Sequence, residues 1–191
     1  FLTDTIPATM SDKPPRLPRK VWTLGWLSFL TDLGGESVFP LLPAYLSGLG
    51  AGPWFLGLVE GVADGLSSAL GVVSGRISDR SGRRKGLTVL GYSLSGAVRP
   101  LLAFASSPWH ILTVRWLDRV GKGIRNAPRD ALIADSTPRA SWGRAFGVQR
   151  AMDHLGATLG PLSVWYLMCP QGPGVSLGTI FLLAAVPGTL T

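Results

Sequence analysis

Six long apolar stretches, separated by short links rich in turn formers, leave this chain few ways to fold. They cover about residues 21–47, 52–77, 86–106, 109–134, 143–168 and 175–191. A helix that crosses a bilayer needs roughly 20 mostly apolar residues, and each stretch approaches that length. The links at 48–52, 106–108 and 170–174 are clusters of helix breakers. A membrane β-barrel would instead show alternating segments of about ten residues. The sequence therefore predicts an all-α membrane protein, a six-transmembrane-helix bundle over 21–191, preceded by a polar, proline-rich tail over 1–20 that is expected to be disordered and cytoplasmic. Charged residues make up only 15% of the chain, against about 25% in soluble domains. The single cysteine, Cys169, excludes an internal disulfide framework or a thiolate zinc cluster.

The formal charge of +7 would suggest nucleic acid in a soluble protein. Its distribution argues otherwise. Lys13, Arg16, Arg19 and Lys20 precede span one, Arg76, Arg80, Arg83, Arg84 and Lys85 cluster after span two, and Arg139 and Arg144 lie between spans four and five. The other links carry no Lys or Arg. By the positive-inside rule the N-terminus and the even-numbered links face the cytoplasm. The expected form is a multi-pass membrane protein, with the lipid bilayer as partner and no nucleic acid.

Ionisable groups within spans are costly and mark function by default. Span one holds Asp32 and Glu36; span two, Glu60 and Asp64; span three, Arg99; span five, Arg150, Asp153 and His154. Span four holds Arg115, Asp118, Arg119, Lys122, Arg125, Arg129 and Asp130. Spans one, two, four and five thus form a polar interior set, with three and six on the lipid side. At about 100° per residue, Arg115, Asp118, Arg119, Lys122, Arg125 and Arg129 fall within an arc of roughly 120°. Arg125 and Arg129 either snorkel to the headgroups or belong to the interior stripe. With a rise of 1.5 Å per residue, Asp32, Arg119 and Asp153 each lie about 15 Å deep, near the midplane. The economical arrangement pairs Arg119 with Asp32 or Asp153. Glu36 shares a face with Asp32, and Arg150 with His154, each at i+4. Such carboxylates beside a histidine suit a proton relay; a static network that only holds the helices together is the alternative. The substrate cavity is expected to include Arg115, Asp118, Arg119 and Lys122, and so basic a cavity favours an anionic or zwitterionic small molecule.

Two glycine ridges allow close helix contact: Gly57, Gly61 and Gly65 in span two, Gly156 and Gly160 in span five. The link after span two reads Gly75-Arg76-Ile77-Ser78-Asp79-Arg80-Ser81-Gly82-Arg83-Arg84-Lys85. It resembles the conserved cytoplasmic loop of the major facilitator superfamily, G-x-x-x-D-R-x-G-R-R-K, and lies between the same two spans. Gly147, Gly156, Gly160 and Pro161 are similar to that family's antiporter motif in span five, with Val164 and Trp165 where the family has small residues. The stretch from Asp118 to Ala134 resembles a bacterial efflux branch of the superfamily.

The resemblance covers residues 20–191 and implies the N-terminal six-helix half of a two-half transporter. It implies that Asp79, Arg80 and Arg83 latch the halves on the cytoplasmic side, that spans one and four line the cavity, and that spans two and five face the second half. The expected function is proton-coupled export of small molecules by alternating access. An uptake symporter of the same family, or a transport-inactive six-helix scaffold, stays open. The expected partners are protons, a small-molecule substrate, and a second half supplied by a longer chain or a homodimer.

Enzyme readings fail on spacing, so no catalytic residue, metal or cofactor is expected. A lipid-headgroup transferase needs acids where Gly61 and Arg83 stand. A phosphate loop needs a glycine where Trp116 stands.

Overall fold

In a computed structural model, residues 16–168 and Thr179 are described, and every regular element among them is helical. Helix α1 (Arg19–Val38) passes through a 3-10 turn at Phe39–Leu41 into α2 (Leu42–Gly48). Pro40 and Pro43 lack the amide hydrogens a continuous ladder needs, so the ladder tightens there. Helix α3 (Pro53–Ser81) opens on a proline at its first position and closes on Gly82, whose φ of 64° lies in the left-handed region. Helix α4 (Arg84–Val98) tightens into a 3-10 segment at Arg99–Phe104, next to Pro100. Helix α5 (Pro108–Ser136) is capped by the Ser107 side chain, which accepts from the Trp109 amide. Helix α6 (Trp142–Met168) contains Pro161. These segments match predicted spans one to five within a few residues. Span six apart from Thr179, the start of the N-terminal tail and Cys169 lie outside the described residues.

By length and composition, Pro53–Ser81 and Arg84–Phe104 are apolar enough to cross a membrane, with hydropathies of 1.4 and 1.3. Among the described residues those two meet the criterion. Helix α5 carries most of the cations described below, which makes it the least apolar of the long helices. Six apolar spans therefore overstates what the described helices show.

Helix α5 is the central strut, packed against α3 on one side and α4 on the other, while α1 packs along α6. Small residues set the closest approaches. A Cβ on Gly91 would lie 2.6 Å from both the Arg125 Cβ and the Gly121 carbonyl, so α4 and α5 touch backbone to backbone. Gly91→Ala is expected to destabilise the bundle by about 1–3 kcal/mol through overpacking. Gly86→Ala, with open space around its Cβ on α4, is expected to stay within about 0.5 kcal/mol. Thermal melting of the two variants of the full-length protein in detergent separates them.

The burial pattern is inverted relative to a water-soluble protein. Leu58, Val62, Val72, Val73 and Ile77 on α3, and Leu155, Leu159, Leu162 and Trp165 on α6, are exposed. Asp32, Arg99, Arg115, Asp118, Arg119, Arg125, Arg129 and Asp153 are buried. Lipid is the solvent that accepts such a surface, and it obliges polar groups to find partners inside. Apolar clusters close the two ends of the bundle. One joins Val38, Leu42, Phe55, Val59, Leu102 and Ile111, and the other Val21, Ile133 and Ala145. The ionic layer lies between them.

Candidate functional site

Each cation on the α5 face meets a carboxylate from a neighbouring helix, as a low-dielectric interior requires. Arg115 donates from Nε and Nη2 to the two Glu60 oxygens at 2.9 and 3.1 Å. Arg99 donates from Nε to Asp118 Oδ1 at 3.0 Å. Arg119 sits among Glu36, Glu60 and Asp64 at 3.9, 3.8 and 3.7 Å. Lys122 lies 3.7 Å from both Asp32 and Glu36. Arg125 reaches Asp32 Oδ1 at 3.4 Å, donates to Ser95 Oγ at 3.0 Å and stacks 4.7 Å from the Tyr92 ring centroid. Arg129 reaches Asp153 Oδ1 at 3.5 Å, and Arg150 lies 3.8 Å from both Asp130 and Asp153.

One sequence expectation is corrected here, and one open alternative is decided. Arg119 pairs with Glu36, Glu60 and Asp64, whereas Asp32 takes Lys122 and Arg125, and Asp153 takes Arg129 and Arg150. Helical spacing gives the face of α5 but not which neighbour stands opposite each turn. Arg125 and Arg129 do not snorkel, because both are buried against these partners.

Ser28 ties the buried end of this ladder together. Its Oγ accepts from Arg129 Nη1 at 2.9 Å and from Gln149 Nε2 at 2.7 Å. With both lone pairs taken, the Ser28 proton is left for the Tyr92 oxygen at 2.7 Å. Gln149 Nε2 also donates to Asp153 Oδ1 at 3.0 Å. One network thus joins α1, α4, α5 and α6.

A cavity of about 240 Å3 opens between α1, α5 and α6. Its walls carry Asp32, Glu36 and Asp153 against Lys122, Arg129 and Arg150, with Asn126, His154 and Ala157 completing them. Positive and negative side chains balance one for one when His154 is neutral. The basic stripe read from α5 is therefore neutralised, and the cavity as built does not favour a net anionic cargo. Arg115, Asp118 and Arg119, expected in the cavity, lie in the ladder beside it rather than in its wall. No cluster that could hold a metal occurs among the described residues.

The loop after α3 shows a related pattern at the bundle's edge. Asp79 lies 3.8 Å from Arg84, which also pairs with Asp135 near the end of α5. Arg80 and Arg83 are exposed. Gly75 touches Ala127 of α5, and Gly82 ends α3.

The glycine ridges differ from each other. A Cβ on Gly57, Gly61, Gly65 or Gly147 would meet nothing within 4 Å, so these four lie on an open side. A Cβ on Gly156 would lie 2.5 Å from the Phe29 carbonyl, and one on Gly160 2.7 Å from the Leu33 carbonyl. These two therefore pack against α1 within this bundle, which corrects their expected place on the face toward a second half. Pro161 borders an apolar hollow of about 380 Å3 with Pro40, Leu41 and Trp165.

The family model described as Major Facilitator Superfamily matches residues 24–190. The chain belongs to the major facilitator superfamily. Over 176 residues it is 41% identical to an uncharacterised MFS-type transporter of Methanocaldococcus jannaschii, covering 92% of this chain and 43% of that protein. An uncharacterised protein of Mycobacterium tuberculosis is 34% identical over 81% of this chain and 38% of its own length. The multidrug resistance protein MdtH of Photorhabdus laumondii is 30% identical over 83% of this chain and 40% of its own. The chain thus spans less than half the length of these curated relatives. Membership makes it part of a membrane-embedded transporter family rather than an enzyme family.

The sequence places Glu60 among the charges of span two without giving it a role, and it does not single out Ser28, Tyr92, Gln149 or Asn126. Glu60 precedes Asp64 by one turn, which is the available signal. For the uncharged residues there is none, since a serine or glutamine in an apolar stretch does not announce what it faces.

Proposed function

We propose that this chain is the N-terminal six-helix half of a proton-coupled secondary transporter that exports small molecules across the plasma membrane, its N-terminus cytoplasmic. The observation that carries this reading is the α1–α5–α6 cavity, whose wall is built of ion pairs from three different helices. A site assembled this way changes its contacts whenever the helices shift, as alternating access around a midplane site requires. Asp32, Glu36 and Asp153 are the proton-carrying candidates, with His154 on the same wall. Export, rather than uptake, draws support from the likeness to a multidrug resistance protein.

In this reading, the exposed Arg80 and Arg83 beside Asp79 latch onto the second half on the cytoplasmic side, Arg84 ties Asp79 to Asp135 within this bundle, and the open glycine side of α3 receives the second half. The test is a resistance screen. The full-length gene, expressed in a bacterial host stripped of its own efflux systems, is expected to raise resistance to at least one small molecule and lower its accumulation. That effect should vanish when a protonophore collapses the gradient. Sensitisation in place of resistance would indicate uptake. No change with any compound would contradict transport.

A further inference from the structure

The ion pairs in and beside the cavity wall are held in two ways. Arg115–Glu60 and Arg99–Asp118 are hydrogen-bonded at 2.9 and 3.0 Å, which uses them structurally. Lys122 and Glu36 are held differently. Their mutual contact is 3.7 Å, beyond hydrogen-bond distance, and their side chains are 27% and 23% exposed. Among the described residues the Lys122 ammonium meets Asp32 only at 3.7 Å as well. One turn along α5, Asn126 brings an amide to the same wall with no hydrogen-bond partner among the described residues.

From this geometry we infer that the cavity binds a zwitterion, a small molecule carrying an amine and a carboxylate, with the carboxylate on Lys122 and Asn126 and the amine on Glu36. The inference rests on the transport reading and names its cargo class. A ligand of this kind replaces the loose contacts of Lys122 with Glu36 and Asp32, and of Glu36 with Arg119 at 3.9 Å, by two tighter ones and adds no net charge. A singly charged ligand would put an unpaired charge into a balanced, partly desolvated site, which is costly. A purely apolar ligand would desolvate the ionic wall and return nothing to it.

The test uses the full-length protein purified in detergent and a series that differs only in charge. Leucine, phenylalanine and glutamine are each offered as the free amino acid, as the cationic amide and as the anionic N-acetyl derivative, with binding followed by calorimetry. For at least one of the three, the free amino acid is expected to bind at least about tenfold tighter than either derivative. Glu36→Gln should erase the advantage over the N-acetyl form, and Lys122→Gln the advantage over the amide. Misfolding cannot produce two selectivity losses in opposite directions. Equal or tighter binding of the charged derivatives across the series, or no binding of any free amino acid, would overturn the inference. Failure of the underlying reading looks different. Export of a net-charged compound without zwitterion binding leaves transport standing, and zwitterion binding without any flux refutes transport instead.

Discussion

Arg125→Met is expected to cost the protein about 3–5 kcal/mol, enough to lower its yield and melting temperature sharply, because it removes one partner of a buried ion pair. The Arg125 side chain is 1% exposed and touches two neighbouring helices: Asp32 on α1, and Ser95 and Tyr92 on α4. Methionine fills much of the volume but leaves the Asp32 carboxylate with Lys122 alone, and it removes the cation from the Ser95 oxygen and the Tyr92 face. Adding Asp32→Asn to Arg125→Met should restore part of the loss, since the orphaned charge then disappears. Arg150→Gln is the contrast. Its side chain is 62% exposed and its pairs are 3.8 Å long, so a change within about 0.5 kcal/mol is expected. Melting curves of the full-length protein in detergent read all three. Equal effects from Arg125 and Arg150 would refute the division between structural and loosely held charges.

The helices were legible because their signals are local. Twenty-residue apolar lengths, Pro108 at a helix start and Gly82 at a helix end need no knowledge of neighbours. The polar face of α5 was legible too, because Arg115, Arg119 and Arg129 recur at helical spacing. Partner choice was not. Whether Arg119 meets Asp32 or Glu60 depends on how far α3 and α1 slide along α5; for α3 the close approach of Gly123 to the Ser67 carbonyl and Leu70 sets this. Those contacts join residues far apart in sequence. The same reason explains why Gly57 and Gly156 read alike as small-residue ridges, although one faces open space and the other a backbone carbonyl. Charge balance was hidden for a related reason: a stripe on one helix shows its cations, while the carboxylates that neutralise it come from α1, α3 and α6.

Asp153→Asn carries the second large effect. Asp153 holds Arg129 of α5 and Arg150 of its own helix, accepts from Gln149 and borders the cavity. In the proposed mechanism, protonating it removes the charge that draws Arg129 toward α6 and so couples proton occupancy to the spacing of α5 and α6. Asparagine keeps the shape and the acceptor for Gln149, and it fixes the neutral form. The variant should therefore fold and still bind cargo, yet it should not convert a proton gradient into net movement. Asp32→Asn is expected to break coupling alike, because Asp32 ties Lys122 and Arg125 to α1, but also to lower stability, because it leaves the buried Arg125 guanidinium without its carboxylate, whereas Arg129 keeps Asp130 when Asp153 is neutralised.

The most direct test reconstitutes the full-length protein into liposomes with a compound selected by the resistance screen and compares two modes in one preparation. Wild type should accumulate the compound when a pH gradient is imposed and should also exchange it at equal pH. Asp153→Asn and Asp32→Asn should retain exchange while gradient-driven accumulation falls to the level of protein-free liposomes. Wild-type accumulation in both variants would contradict the account, for the cavity carboxylates would then play no part in coupling.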